Sequence, residues 1–222
     1  KSSIMERTQL TQGLTDLHQL ILRMASQVEE AMRKALSAVS QRSFDLAAEV
    51  VEGDQKIDGL QSSIEDLCAR IIATEQPVAG DLRDILTSMK FAGDLERIGD
   101  HARHVAAALE SLADPVFAEV VPLLTRMAEA ATEMLHDTLT CFMDQTADGA
   151  IEVAKRDDNV DALHHEVFEK LVAIMQKNPD SIAHAMQIMF INRFLERFGD
   201  HVTNMCEWVV FLARGEHVEL NT

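Results

Sequence analysis

The chain has no tyrosine, a single tryptophan, four prolines and nine glycines in 222 residues. With so few aromatic strand-formers and turn-formers, there is little material for hairpins and sheets. Its three cysteines, Cys68, Cys141 and Cys206, lack Cys-x-x-Cys spacing, and each sits in an apolar run. That is not the pattern of a zinc clip or a disulfide framework, and buried free thiols in a reducing compartment are expected. Positive charge is scarce as well: 20 Lys and Arg stand against 37 Asp and Glu, a formal net charge of −17 at pH 7. Such a surface repels phosphate backbones and anionic lipid, so nucleic-acid binding and electrostatic membrane docking are not expected, whereas cations or a basic protein surface suit it. No apolar run reaches the roughly 20 residues of a membrane span, and no secretory signal is recognisable. A soluble cytoplasmic protein without membrane insertion is the expectation.

What is present is helix-forming: 47% hydrophobic residues, 11 methionines, and many Ala, Leu, Ile and Glu. Apolar residues recur at helical spacing from about Leu10 to Ser40, through Leu14, Leu17, Ile21, Met24, Val28, Met32, Ala35 and Val39. Ser43 is placed to cap a second helix, Phe44 to about Glu75, with its seam at Val50, Ile57, Leu60, Ile64, Leu67 and Ile71. Pro77 suits the first turn of a third helix running to about Leu112. Asp114-Pro115 restarts a fourth, about Val116 to Met143. A fifth runs from about Ala150 to Gln176, and a sixth from Asn178-Pro179 to about Arg214, with Gly215 just past its end. The expected fold is all-α: two tandem three-helix bundles, six long antiparallel helices, divided into residues 1–114 and 115–222.

The division rests on an internal repeat. Leu95-Glu96-Arg97-Ile98-Gly99-Asp100-His101 returns as Leu195-Glu196-Arg197-Phe198-Gly199-Asp200-His201. Asp54 and Asp58 return as Asp157 and Asp161, offset by 103 residues where the other motif is offset by 100. Each motif stacks two carboxylates on one helical face, one turn apart. A glycine inside a helix costs about 1 kcal/mol relative to alanine, so Gly99 and Gly199 point to close packing or a crowded site.

In an antiparallel pair, Asp58 and Glu96 fall at similar heights about the turn near Gln76. Four carboxylates meeting in a partly apolar groove need compensation, because like charges raise one another's pKa. Arg97 and Arg197 lie about 100° around the helix from the acidic face, which makes metal an economical answer. The candidate ligands are Asp54, Asp58, Glu96 and Asp100 in the first unit and Asp157, Asp161, Glu196 and Asp200 in the second. His104 and Asn204, one turn on, are candidates as ligands or as supporting hydrogen-bond partners, as are His101 and His201, which should face partly outward. An oxygen-only set suits magnesium, calcium, manganese or hard iron better than a closed zinc site. Any one acidic pair alone would be read as a solvated helix face; repetition beside apolar seams favours a cation. The remaining histidines singled out, His136, His164, His165, His184 and His217, read as surface or boundary residues, and Met186, Met189 and Met205 as core filler. Glu133-x-x-His136 occurs once and on another helix, against a ferritin-like di-iron site.

These residues resemble the PhoU family of bacterial phosphate-signalling regulators. The tandem Glu-Arg-Ile/Phe-Gly-Asp motif carries the likeness, with Gln76-Pro77-Val78-Ala79 leading into Asp81-Leu82-Arg83, Gly53-Asp54 with Asp58, and Asn204-Met205-Cys206-Glu207. It spans about Leu10 to Gly215. The resemblance implies two three-helix bundles with metal clusters at the eight carboxylates named above, holding divalent or trivalent ions such as magnesium, manganese, iron or zinc. It implies a non-enzymatic negative regulator of the phosphate-starvation response. Such an adaptor links the ATPase of a phosphate ABC transporter to a sensor histidine kinase, and a homodimer is expected. His104 departs from the asparagine usual there, which leaves the two sites chemically unequal. The rival readings from the residues are a metal-dependent hydrolase or oxidase on a helical bundle, and a metal-free helical scaffold.

Overall fold

The structure, a computed structural model, describes residues 2–221, with side chains from Arg7 onward. Among the described residues there is no strand. The helices are α1 (Ser2–Gln41), α2 (Phe44–Glu75), α3 (Ala79–Ala107), α4 (Leu109–Leu112), α5 (Val121–Asp144), α6 (Ala147–Lys155), α7 (Asp157–Lys177) and α8 (Ile182–Arg214), with single 3-10 turns at Pro115–Phe117 and Pro179–Ser181. Among the described residues no helix is long and apolar enough to cross a membrane.

The punctuation follows local chemistry. Ser43 accepts from the Leu46 N–H at 3.2 Å and starts α2. Asp114 accepts from the Val116 N–H at 3.0 Å, ahead of Pro115. Gly215 closes α8 at φ 71°, its N–H reaching the Phe211 carbonyl at 2.8 Å. Pro77 does not enter the first turn of α3; it lies in a short link whose flanks, Gln76 and Ala79, take left-handed φ of 47° and 50°. Two expected helices are interrupted. The third tightens at Ala108, whose N–H is shared between the His104 and Val105 carbonyls, and continues as α4. The fifth steps at Arg156, where i→i−3 bonds replace the regular pattern and the guanidinium is held by Asp137 of α5 at 2.5 Å. The step makes Asp157 the first residue of α7.

The expected seams are the core. Leu17, Ile21, Met24, Val28, Met32 and Ala35 of α1 are buried against Ile57, Ile64 and Cys68 of α2 and Ile85, Phe91, Leu95 and Ile98 of α3. Met127, Leu135 and Leu139 of α5, Val160, Val167 and Leu171 of α7, and Ile188, Leu195, Val202 and Val209 of α8 repeat the arrangement. The three cysteines are free, and burial pushes the Cys68 and Cys206 thiols up to about 12. The buried Asp84 carboxylate is paired with His18 of α1, 2.8 and 2.9 Å from its two oxygens.

Helices α1 to α3 pack on one another, α5 to α8 do likewise, and α3 lies along α8. The runs are antiparallel. Gly13 meets Ile71 while Lys34 meets Glu49 across α1 and α2. Across α3 and α8, Arg83 reaches the Leu212 carbonyl, Thr87 the Trp208 carbonyl, Asp94 meets His201, and His101 meets Phe194. This last pair of helices therefore runs side by side about a local two-fold, each carrying one copy of the repeated motif. Truncating Leu95, fully buried in α3, to alanine is expected to lower the unfolding free energy by ~2–5 kcal/mol, and Ser43→Ala by ~1 kcal/mol, both readable in urea titrations followed by circular dichroism.

Candidate metal centre

Each carboxylate cluster forms where one helix crosses close over a glycine of the next. In the second unit, a Cβ added to Gly199 would overlap Asp157 Oδ1 and touch the carboxyl carbon at 3.4 Å. In the first, a Cβ on Gly99 would lie 3.2 Å from Ile57 and 3.7 Å from Asp54 Oδ1. The glycines thus admit a neighbouring acid onto the helix surface, as their placement in the motif predicts.

The second cluster is compact. Asp157, Asp161 and Asp200 each offer one oxygen, and these lie within 4.8 Å of one another, the one such group of three among the described residues. Asp157 is only 5% exposed, and its Oδ1 has no hydrogen-bond partner. Burial, then repulsion from Asp161, Asp200 and Glu196, pushes its carboxyl up to about 7. Asp161 is raised by burial and by Asp200. Glu196 is raised chiefly by burial and by Asp200, offset by Arg193, which donates to it at 2.8 Å. Asn221 donates to Asp200 at 3.3 Å from the C-terminal segment. An all-oxygen group of like charges with a buried orphan acceptor fits a hard cation, which would satisfy Asp157 and remove the repulsion.

The first cluster brings together Asp54, Asp58, Glu96 and Asp100, but with a different solution. Arg103, one turn beyond Asp100 on α3, places Nε 3.0 Å from Asp54 Oδ2 as an ion pair and donates from Nη2 to Asp100 Oδ1 at 3.3 Å. Arg97, expected away from the acidic face, is exposed with only a 3.9 Å approach to Glu96, whereas Arg103, which the sequence reading did not weigh, reaches in. Burial, a hydrogen bond to Asp100 and repulsion from Asp100 and Asp58 push Glu96 up to about 7. Asp54 is also raised, by burial and then by Asp100 and Asp58, against the opposing pull of Arg103. The corresponding residue of α8 is Thr203, buried and donating to the Gly199 carbonyl at 3.1 Å.

The histidines of the motif turn toward the α3–α8 contact. His201 donates from Nδ1 to Asp94 at 3.0 Å. His101 is not partly outward as expected but buried, its ring stacked on Phe194 at 5.3 Å and tilted against His201 at 5.6 Å, and neither ring nitrogen has a partner. Burial, then the neighbouring His201 and His104, pushes it down to about 3, so it is neutral. His104 stacks on Phe194 at 4.5 Å, and burial lowers it too. Asn204 is half-buried at the matching place in α8. Sequence reasoning overlooked Arg103 and the Asp94–His201 pair. An alignment of the two repeats, setting Arg103 against Thr203 and Asp94 against Phe194, carries the signal for both.

Fold and site define a duplicated all-helical protein with a carboxylate cluster in each copy. The PhoU domain model matches residues 21–109 and again residues 124–209, and the chain belongs to the PhoU family. It is 36% identical to the phosphate-specific transport system accessory protein PhoU homolog of Clostridium acetobutylicum, over 98% of this chain and 100% of that protein. It is 30% identical to phosphate-specific transport system accessory protein PhoU of Escherichia coli, over 94% and 86% of the two chains. Among solved structures, the phosphate transport system regulatory protein PhoU of Streptococcus pneumoniae superposes with a TM-score of 0.87 at 33% identity, covering 95% of this chain and 99% of that one.

Two outcomes test the geometry. Gly199→Ala should destabilise the protein by ~1–3 kcal/mol through overpacking, and Gly99→Ala by clearly less, since only Ile57 must give there. In metal-free protein the raised Asp157 means that the folded state holds a proton the unfolded chain has already released. Its contribution to stability is therefore largest at low pH and falls as pH rises from the ordinary aspartate range through about 7. Asp157→Asn should flatten that stretch of a melting-temperature profile between pH 5 and pH 8 by roughly the whole of this one group's contribution.

Proposed function

We propose that this chain is an accessory regulator of a phosphate transport system. In this reading it acts as a cytoplasmic adaptor rather than an enzyme: with phosphate plentiful, it links the ATPase of the transporter to a sensor histidine kinase and holds the phosphate-starvation response off. The observation that carries the reading is the near-full-length likeness, in both halves, to proteins named as accessory or regulatory components of phosphate transport. The chemistry of the chain supports it. A net charge of −17 spread over a helical bundle suits basic surfaces on protein partners and repels nucleic acid.

A divalent or trivalent ion, with manganese, magnesium or iron favoured over zinc by the all-oxygen donor set, would be held by Asp157, Asp161 and Asp200 with Glu196 at the rim. Its charge would tie α7 to α8 at the step in the helix. The working unit in this reading is a homodimer, which light scattering tests.

Deleting the gene should derepress a phosphate-responsive reporter in high phosphate, and a plasmid copy should restore repression. Unchanged repression in the deletion strain would overturn the regulatory role. A copy carrying Asp161→Asn that has lost its metal yet still represses would reduce the ion to a structural part.

A further inference from the structure

The two carboxylate clusters are copies of one design, yet in one of them an arginine bridges two of the aspartates. We infer that Arg103 is the built-in counter-ion of the first cluster, and that the chain holds metal at the second cluster alone. The inference deepens the metal reading above and rests on it for the second cluster, but not for the first.

Arg103 follows Asp100 by three residues on α3, so both project on one face, and the guanidinium spans Asp100 of its own helix and Asp54 of α2. Thr203, at the same place on α8, is too short to do this and turns its hydroxyl back to the Gly199 carbonyl. The result is visible in the oxygens: Asp157, Asp161 and Asp200 gather within 4.8 Å, while the four acids of the first unit form no such group of three. Asp54 and Asp157 each keep one buried oxygen without a hydrogen-bond partner, but the other oxygen of Asp54 meets Arg103 at 3.0 Å, whereas no cationic side chain reaches Asp157.

The energetics favour the arginine over a metal in that place. A guanidinium does not deprotonate in proteins, so its charge stays in the first cluster at every pH the fold tolerates. It is tethered to the same helix, so it competes as an intramolecular partner at high effective concentration. A metal ion would have to displace the side chain, break its contacts with Asp54 and Asp100, and sit beside a displaced positive charge. At the second cluster Arg193 meets Glu196 at 2.8 Å, and Asp157, Asp161 and Asp200 stay open to a cation.

Manganese(II) is the probe, read as bound metal per chain by elemental analysis after equilibrium dialysis, with the unliganded fold checked by circular dichroism. Wild-type protein should hold metal that Asp200→Asn removes by at least tenfold and that Asp100→Asn leaves unchanged. Arg103→Thr, which copies the second unit, should add a second set of ions, about doubling the metal held. Arg103→Gln, which keeps length and removes charge, gives the same readout should the threonine variant fold poorly. In Arg103→Thr combined with Asp200→Asn, the remaining metal should depend on Asp100.

Wild-type metal that falls in Asp100→Asn as much as in Asp200→Asn would overturn the inference, as would an Arg103→Thr or Arg103→Gln protein that is folded and gains none. Metal held by Arg103→Thr but not by wild type would sustain the role of Arg103 while sinking the metal reading of the second cluster. No metal in any folded variant would sink both.

Discussion

Negative charges packed between two helices repel, and the rest of the site is an answer to that repulsion. Gly99 and Gly199 let α2 and α7 bring an aspartate onto the backbone of the next helix. There the acids lose water and face one another, which is why Asp157 and Glu96 both rise to about 7. A bundle could avoid the conflict with apolar residues at these positions, since unpaired buried charge is costly. That both copies retain the acids makes the crowding a feature of the site rather than an accident of packing.

Duplication supplied two versions of the same conflict, and divergence settled them differently. In the first unit a neighbouring residue on the same helix turns inward as a cation. In the second the matching residue is small, Arg193 meets Glu196, and the three aspartates remain in want of a cation. The same divergence runs along the contact between the halves. Asp94 accepts from His201, but the residue matching Asp94 is Phe194, so the matching His101 meets an aromatic face instead of a carboxylate. One histidine is thereby held by a hydrogen bond and the other by stacking, at equivalent places across a local two-fold.

The pairing of α3 with α8 also explains why the motif histidines serve the junction of the halves and not the clusters. Each motif lies on a helix that packs both on its own unit and on the matching helix of the other. One face, carrying Glu and Asp, meets the preceding helix of its own unit; the next residue, about 100° around, meets the other unit. A single seven-residue string thus builds a charged site on one side and an interface on the other, and the free thiol of Cys206 and the Trp208 carbonyl continue that division toward the end of α8.

Much of this was written in the linear pattern. Helix positions, the buried seams, the caps at Ser43, Asp114 and Gly215, the repeat, and the meeting of acids at common heights all follow from periodicities and local hydrogen bonding, which act over a few residues and so appear in the sequence directly. The kink at Arg156, the turn around Pro77, the inward reach of Arg103 and the burial of His101 do not. Three of these depend on which neighbour stands opposite: Asp137 across from Arg156, Asp54 across from Arg103, Phe194 across from His101. Long flexible side chains choose partners after the helices have docked, because the choice is made by distance in space and by the loss of water there. The string of residues set where charge could gather; only the packed helices decided which charges were answered from within the chain.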